Sequence, residues 1–382
     1  MEMICVEECC EILDSMRIPI TATERKAGKY PYYGANGIQD YVSDYIFDDE
    51  LVLLAEDGGN FGSKERPIAY RVSGKCWVNN HAHVLKPKKE MNVDYLCYSL
   101  MFYNVEGIIN GATRQKLTQS AMRKMKIPIR GMEEQLKIVE KLNKIISIKE
   151  KRKQELQYLD ECVNARFVEM FGSINNNIYK YEIKTLQDVC EKIKDGTHQT
   201  PIYTEDIENG FKFLSSKDVT TGKIDWSNIK YITAELHEKL YEKIKPRKGD
   251  ILLAKNGTTG VAAVVEKEEV FDIYVSLALL RPIDINSVYL WAAINSDETK
   301  NQFNRSLKGI GVPNLHLGEI KNTKIIVPPI ALQNQFADFV HQIDKSKVVA
   351  LNHLKNIAIL LTICSIINEN TNGKMGRRLY DN

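Results

Sequence analysis

The chain has no CxxC pair, and its eight cysteines are scattered: Cys5, Cys9, Cys10, Cys76, Cys97, Cys162, Cys190 and Cys364. That spacing excludes the usual zinc ribbon and thioredoxin-type motifs. In a cytosolic setting such cysteines read as reduced, small apolar residues. No apolar run reaches the ~18 residues of a membrane span. The opening "MEMICVEECCEIL" is acidic and lacks the basic start of a signal peptide. Neither an NPPY-type motif nor a GxGxxG after a strand is present, so no methyl-donor site can be read. The absence of GxxxxGK[ST] excludes a nucleotide-driven motor of that type. A nuclease core would need clustered acids with a lysine to hold Mg²⁺. Glu319 and Lys321 give an E-x-K with no matching Asp at sensible spacing. His81-x-His83 hints at zinc, but its echo later in the chain, Ser276-x-Ala278, lacks both ligands. A strand with one polar face is the better reading, and no metal is expected.

What is present is ordinary in bulk. The 382 residues are 43% apolar and 27% charged, enough for two or three soluble domains with full cores. A net charge of +2 neither demands nor excludes nucleic acid, because local patches matter more than the total. Residues 108–130, "IINGATRQKLTQSAMRKMKIPIR", are rich in Lys and Arg and hold no acid. Residues 243–255, "KIKPRKGDILLAK", set a similar density of cations against one Asp. One such run is usually a solvated face; two in comparable places ask for a partner.

The chain is written twice. "KMKIPIRGMEEQLKIVEKL" (124–142) is echoed by "KIIVPPIALQNQFADFVHQ" (324–342), with Pro128 against Pro328 and Gln135 against Gln335 at an offset of 200. "VEECCEILDS" faces "LQDVCEKIKDG", "DELVLLAEDGG" faces "GDILLAKNGTT", and "HAHVLKP" faces "SLALLRP". Gly111 and Leu117 face Gly311 and Leu317. The order is kept throughout, which marks two copies of one unit.

Each copy has short strand-like runs broken by Gly and Asn, then a short helix, a Gly-rich basic loop, a proline and a long helix. In the first long helix Val139, Leu142, Ile146, Leu156, Val163, Phe167 and Met170 fall on a 3–4 alternation. The second repeats this with Leu332, Phe336, Phe339, Ile343, Ala350, Leu354, Ile357, Leu361 and Cys364. A seam this narrow suits coiled-coil pairing. "KEKRKQE" at 149–155 interrupts the first seam, so its middle packs less well or extends its charged ends outward. The expected organisation is α+β: two mixed α/β domains with two long antiparallel coiled-coil helices between them and an internal pseudo-two-fold repeat. The expected bounds are 1–130, first domain; 131–170, first helix; 171–180, linker; 181–328, second domain; 329–368, second helix; 369–382, polar tail.

Two similar units on a spacer suit a ligand with two sites. Duplex DNA repeats a groove face every ~34–36 Å, and loops rich in Asn, Gln, Arg, Lys, Thr and His carry the donors and acceptors for base edges. The chain resembles the specificity subunit of a type I restriction–modification system over nearly its whole length. The resemblance rests on the proline–glutamine junctions at 127–138 and 327–338, on "LQDVCEKIKDGTHQTP", and on the "GDILLAKNG" and "HAHVLKP" strands. The second junction reads "LQNQ" where the first reads "MEEQ", without its two acids.

The resemblance implies a cytoplasmic, non-catalytic subunit that reads a bipartite double-stranded DNA site. It implies two methyltransferase subunits docked on the long helices, with restriction subunits in the same complex. This chain would bind no cofactor; S-adenosylmethionine belongs to the partner methyltransferase, which modifies adenine. By loop position, Arg114 and Lys116 in the first unit and Lys255 and Lys308 in the second are the candidates to hold phosphates. Asn60, His81 and Gln115, with His198, Gln199, Asn256 and Asn314, are the candidates to read bases. For any one of these, a satisfied turn side chain is an equal alternative. Leu142, Ile146, Leu156, Val163, Phe336, Phe339, Ile343, Leu354 and Leu361 would carry the spacer seam and partner docking. Two rival readings stay open. One is a self-contained restriction or modification enzyme. The other is a coiled-coil scaffold that reads no DNA, which the polar rather than aromatic loops argue against.

Overall fold

The structure, a computed structural model, describes residues 2–63, 65–111, 115–306 and 314–369, with side-chain surroundings given up to residue 357. Two compact units emerge. One runs to Gln154 and takes in the end of the second long helix from Ala350; the other is Glu155–Val349. Mixed α and β content and a two-unit repeat are both present.

The first unit is built on a six-stranded sheet in the order Cys10–Ile12, Ala82–Pro87, Phe47–Ala55, Ala69–Val78, Ala27–Gly34, Gly37–Val42. Phe47–Ala55 is the central element because its second half, "LVLLA", is apolar at every position. A strand covered on both faces reads that way. Successive side chains point to opposite faces, and they are buried accordingly. Val52 and Leu54 join the core under the helix Val93–Leu100 and the short helix Gln119–Arg123. Leu51 and Leu53 join Val72, Cys76, Val78 and Val84 on the other side. A two-stranded ribbon, Met3–Cys5 against Lys126–Pro128, ties the start of the unit to the foot of the long helix.

The second unit repeats this plan in a four-stranded sheet, Cys190–Asp195, Leu277–Pro282, Ile251–Ala254, Ala262–Val264. "ILLA" is the counterpart of "LVLLA", with Ile251 and Leu253 in one core and Leu252 and Ala254 in the other. Its ribbon is Glu182–Thr185 against Lys324–Val327. A second four-stranded sheet, of Tyr203–Thr204, Lys230–Ile232, Phe211–Leu214 and Phe271–Ile273, is added with the helix Ala234–Ile244. None of these added strands exceeds four residues, too few to leave an alternating pattern in the sequence.

Hydrogen bonds fix how the two units correspond, and they correct the register expected at the junction. Gln135 is fully buried. Its side-chain oxygen accepts the Asn92 N–H at 2.8 Å and its amide donates to the Arg130 carbonyl at 2.8 Å. In the second unit it is Gln333, not Gln335, that is buried, accepts the Asn286 N–H at 2.8 Å and donates to the Pro328 carbonyl at 2.7 Å. Likewise the Tyr95 hydroxyl donates to the Pro128 carbonyl and the Tyr289 hydroxyl to that of Ile326. Pro128 therefore matches Ile326, and the Pro128–Pro328 coincidence sits two residues out of register. By the same logic Leu117 matches Leu315, whose N–H makes the equivalent bond, rather than Leu317.

The long helices are Met132–Phe171 and Ile330–Glu369, of 40 residues each, or about 60 Å at ~1.5 Å per residue. Along the first, burial recurs at 135, 138–139, 142, 145–146, 149, 152, 155–156, 159, 163, 166–167 and 170–171, a period near 3.5. Leu142, Ile146 and Leu156 are half-buried and Val163 is buried; Lys149 and Arg152 keep the phase with half-covered stems. On the second helix Phe336 is buried and Phe339, Ile343 and Leu354 are half-buried. The Leu361 side chain lies outside the described residues. Within the second unit the two helices touch in opposite directions: Asp160 pairs with Lys347, Arg166 lies over the Phe339 ring, and Phe167 meets Phe336. Phe167, Phe171, Tyr289 and Phe336 form a four-ring cluster with centroids 4.9–5.6 Å apart. Truncating one such ring to Ala costs about 3–5 kcal/mol.

Candidate nucleic-acid interface

In the first unit the strand Phe47–Ala55 runs out into Glu56-Asp57-Gly58, and Asn110 and residues 115–117 lie alongside it. Isolated antiparallel bridges and backbone hydrogen bonds hold them there. Leu117 N–H donates to the Glu56 carbonyl at 2.7 Å, Glu56 N–H to the His81 carbonyl at 2.9 Å, and Asn110 and Lys116 exchange bonds of 2.9 and 2.8 Å. Gly58 sits at φ +63°, a turn conformation that a side chain resists, and its N–H reaches the Gln115 carbonyl at 3.4 Å. His81, Gln115 and Lys116 are thereby brought together. The His81 Nδ1 lies 2.6 Å from Asp57, Lys116 Nζ lies 3.1 Å from Glu56, and Gln115 is exposed. Asn60 is half-buried further along the same loop, and its amide makes one long bond of 3.4 Å to the Pro67 carbonyl. Arg114 lies outside the described residues.

Beneath this face lies a buried charge cluster that loop-by-loop reading of the sequence missed. Asp14 accepts from Val84 N–H at 2.9 Å, from Gln119 Nε2 at 2.9 Å and from His83 Nδ1 at 2.7 Å. The other ring nitrogen of His83 donates to the Leu117 carbonyl at 2.9 Å. Arg17 spans Glu56 at 2.6 Å and the Ala82 carbonyl at 2.8 Å. Burial would raise the Asp14 carboxyl, but the hydrogen bond and charge of His83, with the Val84 and Gln119 donors, hold it below the ordinary aspartate value. Asp14, Glu56 and His83 offer ligand atoms within 4.8 Å of one another. Both His83 nitrogens already face oxygen acceptors, and Arg17 fills the space a cation would take. The donor set is that of an ion-pair network, not of a metal centre.

The second unit builds the same face from different residues. Leu315 N–H donates to the Lys255 carbonyl at 2.9 Å and Lys255 N–H to the Ser276 carbonyl at 2.8 Å. Gly257, at φ +73°, takes the place of Gly58. Asn256 is half-buried and accepts from the Ser216 hydroxyl at 3.4 Å; Asn314 is half-buried next to Leu315. His198 is 75% exposed with Nε2 3.6 Å from Asp195, and Gln199 is exposed with its N–H on the Thr197 hydroxyl. Lys255 departs from its expected role as a phosphate holder. Its side chain is 5% exposed and its ammonium is paired with Asp195 at 2.6 Å, so it serves the interior. Lys308 lies outside the described residues.

Comparison with known proteins settles the family. The model of the type I restriction modification DNA specificity domain matches residues 1–158 and again 179–360. The chain belongs to this family. The specificity subunit S.HindORF215P of Haemophilus influenzae is 28% identical over 89% of this chain and 86% of its own length. The MjaVIII specificity subunit of Methanocaldococcus jannaschii is 22% identical over 90% and 86%. The fold matches the crystal structure of the type I system S subunit from M. genitalium, with TM-score 0.54, 13% identity and coverage of 95% and 94%. Among the described residues, no helix of this specificity subunit is long and apolar enough to cross a membrane.

Family membership and geometry together show where sequence reading fell short. Asp14, Arg17, Glu56 and Gln119 were not singled out, although Asp14 closes the first echo of the repeat. Strand pairing supplies the missing signal. Ile12 opposes Leu85 and Ile193 opposes Leu280, which places Asp14 and Asp195 at one structural position. The same pairings set His83 against Ala278 and Glu56 against Lys255. The carboxylate is kept, while its hydrogen-bond partner changes from the His83 ring to the Lys255 ammonium.

Proposed function

We propose that this specificity subunit reads a bipartite double-stranded DNA site, one half with each unit, and catalyses nothing itself. The observation that carries this reading is the duplicated face. Two units end the same strand in the same glycine turn and set the same backbone-stapled segment beside it. Each face presents side chains able to donate and accept at base edges. Lys116 adds a half-exposed cation to the first, the kind of group that fixes register on phosphates. The two long helices act as an antiparallel coiled-coil spacer and as the docking surface for two methyltransferase subunits, joined in the full complex by restriction subunits. S-adenosylmethionine belongs to the methyltransferase, and this chain works with no cofactor in the cytoplasm.

Methylome mapping tests the reading. A host carrying this gene and its partner methyltransferase is compared with a strain deleted for this chain. The expected result is a split motif with methyladenine in both halves that disappears on deletion. An unchanged methylome would overturn the specificity role.

A further inference from the structure

We propose that the charge cluster under each face is a positioning device that holds the recognition segment in register for DNA, and that the two units achieve it with different residues. The inference rests on the DNA-reading function above and assigns the device to Asp14, His83 and Glu56 in the first unit and to Asp195 and Lys255 in the second.

In the first unit the segment that carries Gln115 and Lys116 is stapled on both sides. Its Leu117 N–H is bound to the Glu56 carbonyl and its Leu117 carbonyl to the fully buried His83 ring. Glu56 then takes Lys116 on one carboxylate oxygen and Arg17 on the other. His83 is held in turn by Asp14, which also takes the Gln119 amide at the end of the segment. Every group in the chain of contacts is partnered, so the geometry at Lys116 is set from the interior of the sheet. Fully satisfied buried networks of this kind fix one conformation.

In the second unit the Asp14 position is kept as Asp195, but His83 has become Ala278 and Glu56 has become Lys255. The half-buried Asp195 carboxylate therefore takes the Lys255 ammonium from the recognition turn itself, at 2.6 Å. The Leu315 N–H remains stapled to the Lys255 carbonyl at 2.9 Å. A carboxylate at one place, hydrogen-bonded to a side chain from either of two neighbouring positions, is one solution with interchangeable parts. His83, Asp14 and Lys255 are thus positioning residues, and they act on DNA through the segments they hold.

The test uses the full chain with its partner methyltransferase and a duplex carrying the mapped split site. Binding is measured across a salt series. Specific wild-type binding must come first; without it the DNA-reading function itself falls, and this inference with it. Given that binding, His83→Ala should weaken affinity about tenfold, the scale of one charge-assisted contact. It should also flatten the slope of log K against log salt by ~0.9, the signature of one lost phosphate contact. Discrimination should be lost at one half-site only, with the other half still read. A merely structural role would not change the slope of the folded fraction. The double variant E56K/H83A, which grafts the second unit's solution onto the first, should recover slope and discrimination. A folded H83A with wild-type slope and half-site discrimination overturns the proposal. Where H83A does not fold, the graft decides: recovery supports the proposal, and failure to fold or to recover overturns it.

Discussion

Gln135 and Gln333 hold the same place in their two units, each accepting at 2.8 Å the N–H of the asparagine, Asn92 or Asn286, that caps the following helix. Each amide also donates to the carbonyl five residues before it. The pair therefore pins the foot of each long helix to the short helix of its own unit, at positions with no access to water. Gln335, the residue that sequence identity suggests, is exposed.

The pairing gives a sharp test. Gln135→Ala and Gln333→Ala each take the partner from a part-buried N–H and from at least one carbonyl, at ~1–3 kcal/mol per group. Each variant should lose about 2–4 kcal/mol, read as a lower urea midpoint of the full chain. Gln335→Ala should stay within ~0.5 kcal/mol, as exposed substitutions do. A large loss in Gln335→Ala with none in Gln333→Ala would restore the register drawn from the prolines.

Cysteine chemistry gives a second test. Burial pushes the Cys76, Cys97 and Cys190 thiols up to about 12, so almost no thiolate exists at pH 8. Cys162 is exposed on the first long helix. Alkylation of the native chain at pH 8 should label Cys162 first and leave Cys76, Cys97 and Cys190 unlabelled until denaturant is added. Peptide mass mapping reads the order, and early labelling of Cys97 would contradict the packing under Val93–Leu100.

The family, the repeat and the mixed composition were legible because they rest on local signals: identity in order, and hydrophobic periods near 2 and 3.5. The heptad-like phase even runs through Lys149 and Arg152, where composition suggested a break, because long charged side chains can cover a seam with their stems. Three features were not legible, each for a physical reason. The junction register depends on which glutamine is buried, and that is a property of Asn92 and Asn286, more than forty residues away in each case. The burial of Lys255 depends on Asp195, sixty residues off. The added sheet of the second unit has strands too short to show a period.

The Asp14 network sets a pH dependence with a definite sign. Its carboxyl titrates below the ordinary value of 3.8 in the folded chain. A depressed carboxyl contributes stability that is complete above the unfolded value and is lost as pH falls through the folded one. Wild type should therefore exceed Asp14→Asn in stability at pH 7, and the gap should narrow only below about pH 3.8. Urea midpoints at pH 7, 5 and 3 measure it. A gap that closes already between pH 7 and 5 would assign the dependence to another group.

The long helices make the last prediction, about spacing. If they set the distance between half-sites, lengthening both should change the preferred gap in the DNA. Four inserted residues add about 6 Å at ~1.5 Å per residue, close to two base pairs at ~3.4 Å each. Four residues also shift a 3.5-residue seam by half a residue, whereas seven keep its phase and add about 10.5 Å, near three base pairs. The seven-residue variant should thus keep more stability and move the gap further. Mapped methylation motifs report the gap directly. An unchanged gap in both variants would mean that the helices carry partners without measuring DNA, and that the spacing is set elsewhere in the complex.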